Sequence, residues 1–256
     1  MPQTDIARPP RHIVDGFSGI GTAIIASMMR SEFNILRHVA VGLHTLTPGR
    51  HAVGTAVTLQ FLPRREDVVS GTQEEAIERR SALWASIMAV GEGDILVVDA
   101  RGHMQTGVAG EMLMTGIHAR GGRGLVADGC IRDYAPAREI GLPIFARGAT
   151  PANAGFFELY PWDYNVPVGC GNILIMPGDI VVADDDGVIV IPPSIAEELL
   201  ALCQNKTESE VFEKLMISRT GNVAKYHPLS QEGRREYEAW VAAGRPMDPS
   251  WQPPKV

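Results

Sequence analysis

Apolar residues in this chain fall into two kinds of run, and through the first two-thirds of the sequence the kinds alternate. Residues 51–62 (HAVGTAVTLQFL) are rich in β-branched side chains and predict a strand. Residues 95–99 (ILVVD) are continuously apolar up to the aspartate, as in a strand buried on both faces. Between them, residues 74–90 set Ile77, Leu83, Trp84, Ile87 and Met88 on one side of a helix that Gly91-Glu92-Gly93-Asp94 ends. A helix over 110–119, a strand over 124–127, a helix over 134–140 and a strand over 143–146 continue the series. Strands and helices at this spacing predict βαβ units.

The flanking segments read differently. Residues 1–11 are polar and proline-rich, a flexible arm, and residues 12–29 suit helices interrupted by Gly16, Gly19 and Gly21. Residues 179–192 (DIVVADDDGVIVIP) are two strands about a turn at Asp186-Gly187, because glycine tolerates the positive φ of such turns. Ser194, with Glu197 three residues on, predicts a capping box for a helix, or a pair of helices, reaching about Arg219. A short helix over 231–243 and a proline-rich end complete the chain. The organisation expected is an arm (1–11), one domain (12–220) and an appended tail (221–256).

Composition narrows the function. Of 256 residues, 45% are apolar and 21% charged, the balance of a globular domain with a real core. The net charge of −7 comes without a clustered basic excess, which argues against nucleic acid as a partner. It leaves small anions open, since one positioned arginine holds a carboxylate. Cys130, Cys170 and Cys203 form no closely spaced pair, so reduced thiols in a cytoplasmic protein are expected. No apolar run is long enough for a membrane span, and the N-terminus lacks a signal-peptide core.

The chemistry concentrates in residues 107–133. Gly110-Glu111 stands at a helix start, where the free N–H groups of residues such as Met112 and Leu113 make an anion site that Gly110 lets a ligand approach. The strand over 124–127 runs out into Asp128-Gly129-Cys130-Ile131-Arg132-Asp133, and in parallel sheets ligands gather beyond such ends. Arg132 suits a carboxylate or enolate and Asp133 a hard cation. The same residue types also suit a surface ion pair, with Asp133 capping the next helix and Glu111 favouring a helix dipole.

Five stretches, GTAVT (54–58), GDILVVDA (93–100), GEML (110–113), GLVADGCIRD (124–133) and PGDIVVADDDGVIVIP (177–192), make residues 12–220 resemble the RraA-like family. That family includes the class II pyruvate aldolases (4-hydroxy-4-methyl-2-oxoglutarate aldolases) and regulators of ribonuclease E activity. The aldolase pattern is an aspartate, twenty residues, then Arg-Asp; here Glu111 holds the first place before Arg132-Asp133. The resemblance implies a layered αββα swivelling-domain-like α/β fold with a C-terminal helical extension. It implies a metal-dependent lyase that releases pyruvate from a 4-hydroxy-2-oxo acid or decarboxylates oxaloacetate. Asp133 would hold Mg²⁺ or Mn²⁺ and Arg132 would bind the 2-oxo acid and stabilise its enolate. The backbone of residues 110–113 would hold the carboxylate, and Glu111 would position a water. It further implies homotrimers or homohexamers in which a neighbour's C-terminal helix lends a carboxylate, with Glu208, Glu210 and Glu213 in the matching region. A non-catalytic ribonuclease-inhibiting protein, or a lyase or dehydratase acting on another 2-oxo or sugar acid, are the competing readings.

Other residues have plainer expectations. His103 and His118 flank the motif as candidate bases, though each also suits an ordinary structural position. Asp184-Asp185-Asp186 suits a hairpin turn better than a metal site. Cys130 suits a small apolar filler. The aromatic stretch from Phe156 to Tyr164 suits interface or loop packing.

Overall fold

The computed structural model describes residues 6–67, 81–152, 158–248 and Trp251. Helices α1 (Arg11–Gly16) and α2 (Thr22–Phe33) lead into strands β1 (Val39–Ala40), β2 (His44–Thr45) and the long β3 (Ala52–Pro63). The alternation then takes form as α3 (Ala82–Ala89), β4 (Asp94–Gly107), α4 (Glu111–Ala119), β5 (Gly124–Ile131), α5 (Tyr134–Glu139) and β6 (Ile144–Ala149). Strands β7 (Leu159–Tyr164), β8 (Val168–Cys170), β9 (Ile173–Ile175), β10 (Ile180–Asp184) and β11 (Gly187–Ile191) follow. Helices α6 (Ala196–Thr220), α7 (Val223–Tyr226) and α8 (Gln231–Ala242) end the chain. Residues 74–80 of the expected 74–90 helix, and Phe156 and Phe157, lie outside the described residues.

The main sheet runs β1-β11-β10-β3-β4-β5-β6-β2, with β7 pairing to the far end of β3. Strands β3, β4, β5 and β6 are parallel neighbours, and the outer strands add antiparallel to them. Alternate residues of one strand serve opposite faces. Leu96 and Val98 pack with Leu83, Ile87, Met114 and Ile117 from the helices, while Ile95 and Val97 pack with Val168, Ile173 and Ile175 from the β8–β9 hairpin. The ILVVD run is continuously apolar because both faces are covered. Complete burial of each such side chain stabilises by roughly 1.5–3 kcal/mol.

Three expectations change. The arm is anchored from Ile6, which is buried, and Arg8 forks onto the buried Asp94 at 3.0 and 2.8 Å. A 3-10 turn, Pro193–Ile195, occupies the place of the Ser194 cap, and α6 starts at Ala196. The aromatic stretch, where described, includes a strand, β7, with an exposed Trp162. The chain divides by its internal contacts into two compact units, Met1–Leu200 and Ala201–Val256. The physical reason is a small aromatic core in the second unit, where Phe212 and Met216 from α6 meet Tyr226 and Trp240. Phe212 lies 5.5 Å from the Trp240 ring and 6.0 Å from Tyr226. The described residues after 220 therefore contribute to a packed unit with part of α6.

The acidic run is structural. Asp184 accepts the Thr22 N–H and hydroxyl at 2.8 and 2.7 Å, and Asp185 accepts the Gly49 N–H at 2.9 Å. Asp184 pairs with Gly187, so Asp185 and Asp186 form the two-residue connection.

Candidate active site

The site is built where β4 and β5 end side by side. Beyond β4 the chain stays extended: the Val108 N–H donates to Cys130 O at 2.8 Å, and the Arg132 N–H donates to Ala109 O at 2.9 Å. These bonds fix the segment entering α4 against the segment entering α5. Gly110 occupies the N-cap position of α4 and Asp133 that of α5. Asp133 lies in the left-handed region at φ 58°, ψ 44°, a conformation aspartate tolerates at a cost. Its side chain does not cap its own helix; instead Oδ2 accepts the Glu111 N–H at 3.2 Å, at the start of the neighbouring one. Arg132 Nε stands 3.3 Å from the same oxygen, with both side chains about two-fifths exposed.

Glycine is required at the crossing. A β-carbon on Gly110 would stand 2.5 Å from Asp133 Oδ2 and 2.9 Å from Arg132 Nε. One on Gly107 would meet Ala152 O at 2.8 Å and Arg132 Cβ at 3.0 Å. The absent side chains leave a cleft of about 230 Å³ lined by Leu83, Trp84, Val108, Gly110, Met112, Leu113, Arg132 and Asp133, among others. Met112 and Leu113 lie in the first turn of α4, where helix geometry provides their N–H groups with no partner.

The structure thus gathers Gly110, Met112, Leu113, Arg132 and Asp133 around one cleft, with Glu111 joining through its backbone. Leu83 and Trp84 were not foreseen in it; their signal was only an apolar helix face, which does not say where the helix docks. Among the described residues no three His, Cys, Asp or Glu side chains gather as a ready metal cage. Asp133 is the sole carboxylate among the described residues lining the cleft. That donor set fits a hard cation keeping most of its waters, as Mg²⁺ does, and not a closed tetrahedral site.

The other candidates separate. His103 pairs through Nε2 with Glu158, and His118 sits exposed in the last turn of α4. Cys130 is buried, its thiol pushed up by desolvation, and packs 3.9 Å from Met104 Sδ as an apolar filler would. In the second unit, Glu213 is buried and accepts from Lys206 at 3.2 Å and pairs with His227 at 2.6 Å. Glu208 is held by Tyr237 and Arg245, and Glu210 lies 3.6 Å from Lys206.

A sheet of parallel strands with helices on one face and an Arg-Asp pair beyond its carboxyl ends is an α/β arrangement whose chemistry suits a small anion. Residues 15–190 match the RraA-like family model (Aldolase/RraA), and the chain belongs to that family. A relative from Halalkalibacterium halodurans, provisionally named a 4-hydroxy-4-methyl-2-oxoglutarate aldolase, is 32% identical over 63% of this chain and 77% of its own. A Streptomyces coelicolor structure, described as an unusual member of the RNase ES inhibitor RraA protein family, is 39% identical. It has a TM-score of 0.74 and covers 82% of this chain and 99% of its own. An uncharacterized Pseudomonas syringae pv. tomato protein shares the fold at 23% identity and a TM-score of 0.72, over 86% and 99% of the two chains. No helix among the described residues is long and apolar enough to cross a membrane.

Proposed function

We propose that this protein is a divalent-metal-dependent lyase that releases pyruvate from a 4-hydroxy-2-oxo acid, with oxaloacetate decarboxylation as a side activity. The observation carrying this reading is the Arg132-Asp133 pair held across the N-terminus of α4, with Gly110 too close to both for a side chain. The substrate carboxylate takes the N–H groups of Met112 and Leu113, and the Arg132 guanidinium faces the 2-oxo oxygen. When the C3–C4 bond breaks, its electron pair forms an enolate, and donors already aimed at that oxygen lower the barrier without reorganising. Asp133, with water and Glu111 nearby, would hold Mg²⁺ or Mn²⁺. When bound, such a cation would supply further positive charge at the developing enolate. The protein works as a homotrimer or homohexamer in the cytoplasm, a setting that suits its three buried free thiols.

The S. coelicolor likeness favours a second reading, a ribonuclease-inhibiting binding protein without turnover. A screen of 2-oxo acids with added Mg²⁺ or Mn²⁺, pyruvate being read by a coupled dehydrogenase, separates the two. Pyruvate release that Arg132→Ala abolishes supports the lyase. No release from any acid, together with inhibition of a ribonuclease, overturns it.

A further inference from the structure

We infer that the protein has a second anion seat, at the opposite end of the sheet from the cleft, and that it takes a short-chain dicarboxylate. This seat does not depend on the lyase reading. Strands β3, β5 and β6 begin at Ala52, Gly124 and Ile144, and a cavity of about 420 Å³ opens beside these amino ends. Asp15, Ser18, His51, His118, Arg123 and Gly141 are among its lining residues, and they and their neighbours in the chain are all described. The cleft, by contrast, lies beyond the carboxyl ends of β4 and β5. Helix α4 links the two hollows: Glu111 opens it at the cleft, and His118 stands in its last turn, about 10 Å along the helix axis.

Two cationic poles meet the cavity. The first forms around Gly141, which has φ 94°. A β-carbon there would stand 3.6 Å from Arg50 Nη1 and 3.9 Å from His118 Nε2, so the missing side chain leaves a gap between a guanidinium and an imidazole. Arg50 makes its one contact, at 3.5 Å, with the carbonyl of Arg138, which does not neutralise its charge. The second pole is Arg123. It donates to Asp15 at 2.5 Å and to Val53 O at 3.3 Å, and these bonds fix the guanidinium at the cavity wall. Both use Nη1; among the described residues Nη2 bonds to nothing and remains for a ligand. His51 and the Ser18 hydroxyl line the same cavity. Asp184, near enough to His51 to feel its charge, is engaged by the Thr22 N–H and hydroxyl.

The ligand follows from the donors. A guanidinium holds a planar carboxylate through paired N–H···O bonds, and an anion placed between like charges relieves their repulsion. Two such poles in one cavity match two carboxylates on one short chain. Ala52, Val53 and Pro143, also in the lining, give that chain an apolar bed.

The test is calorimetric titration of the full chain with succinate, acetate and sulfate. Wild type should bind one succinate per protomer, on the order of tenfold or more tightly than acetate, the second charged contact making the difference. Arg50→Ala and His118→Ala should each remove most of that advantage, with Tm on the same samples showing that the variants fold. Arg132→Ala, at the other end of the sheet, should leave succinate affinity unchanged. Sulfate binding as tightly as succinate would make the seat one for a single compact anion and overturn the dicarboxylate. Succinate binding lost in Arg132→Ala and kept in Arg50→Ala and His118→Ala would put the acid in the cleft and overturn the second seat. Failure of succinate to saturate the wild type overturns it outright, and leaves the lyase to its own screen.

Discussion

At the residue scale the lyase proposal turns on Arg132. Its planar fork of donors would serve an enolate oxygen, and lysine keeps the charge without that geometry. Arg132→Lys should lower kcat by on the order of 10² to 10³, the usual effect of losing one such donor, with melting temperature little changed. A structural ion pair would give the opposite result, lost stability with activity per folded molecule intact, and kcat and Tm on the same protein samples distinguish them. Gly110 makes a second test. A β-carbon there lands 2.5 Å from Asp133 Oδ2, the end of a side chain and not backbone, so the side chain can yield while the fold persists. Gly110→Ala should therefore fold with near-normal Tm and lose most of its turnover. Full activity in this variant would show that Asp133 and the α4 N-terminus need not stay together.

At the scale of elements, legibility followed burial. Strands β4 and β5 announced themselves as unbroken apolar runs because both faces are covered, and the 110–119 and 134–140 helices emerged within a residue of their observed ends. Strands β7, β8 and β9 did not, because three- to six-residue segments among prolines and glycines owe their pairing to tertiary contacts. The pins of the β8–β9 hairpin were equally hidden. Gly169 N–H donates to Asp99 at 3.3 Å and Gly171 N–H to Asp128 at 2.9 Å, while Arg147 pairs with Asp128. Burial pushes the Asp99 carboxyl above its ordinary value, against the opposing N–H groups of Arg101 and Gly169. A carboxyl raised in this way contributes stability that is full below its unfolded pKa and is lost as pH rises through the folded one. The Tm of Asp99→Asn minus that of wild type should accordingly increase as pH is raised from the usual carboxylate range toward neutrality. A difference independent of pH would mean that Asp99 carries no such cost.

At the scale of the whole molecule, the Arg132-Asp133 pairing was legible as a motif, but the apolar wall opposite it was not. Sequence spacing placed residues 110–113 and 132–133 near one another through two adjacent strand ends. Nothing in the spacing of residues 74–90 indicates that Leu83 and Trp84 face the same hollow. The exposed Trp84, Met112, Leu174 and Met176 give the chain apolar surface of the sort that subunit contacts cover. Light scattering at micromolar concentration should give a mass that is a multiple of three protomers. Excess chelator should abolish pyruvate release without changing that mass, and added Mg²⁺ or Mn²⁺ should restore it. A monomer with full turnover in chelator would remove both the shared assembly and the cation.

The bond from the Glu111 N–H to Asp133 sorts the donors at the start of α4 before any acid arrives. One N–H fixes the carboxylate that would hold the cation, and those of Met112 and Leu113 are left for the incoming acid. Recognition and turnover should therefore come apart in Asp133→Gly, which also relaxes the left-handed backbone. Pyruvate binding, read by calorimetry, should persist while no product forms.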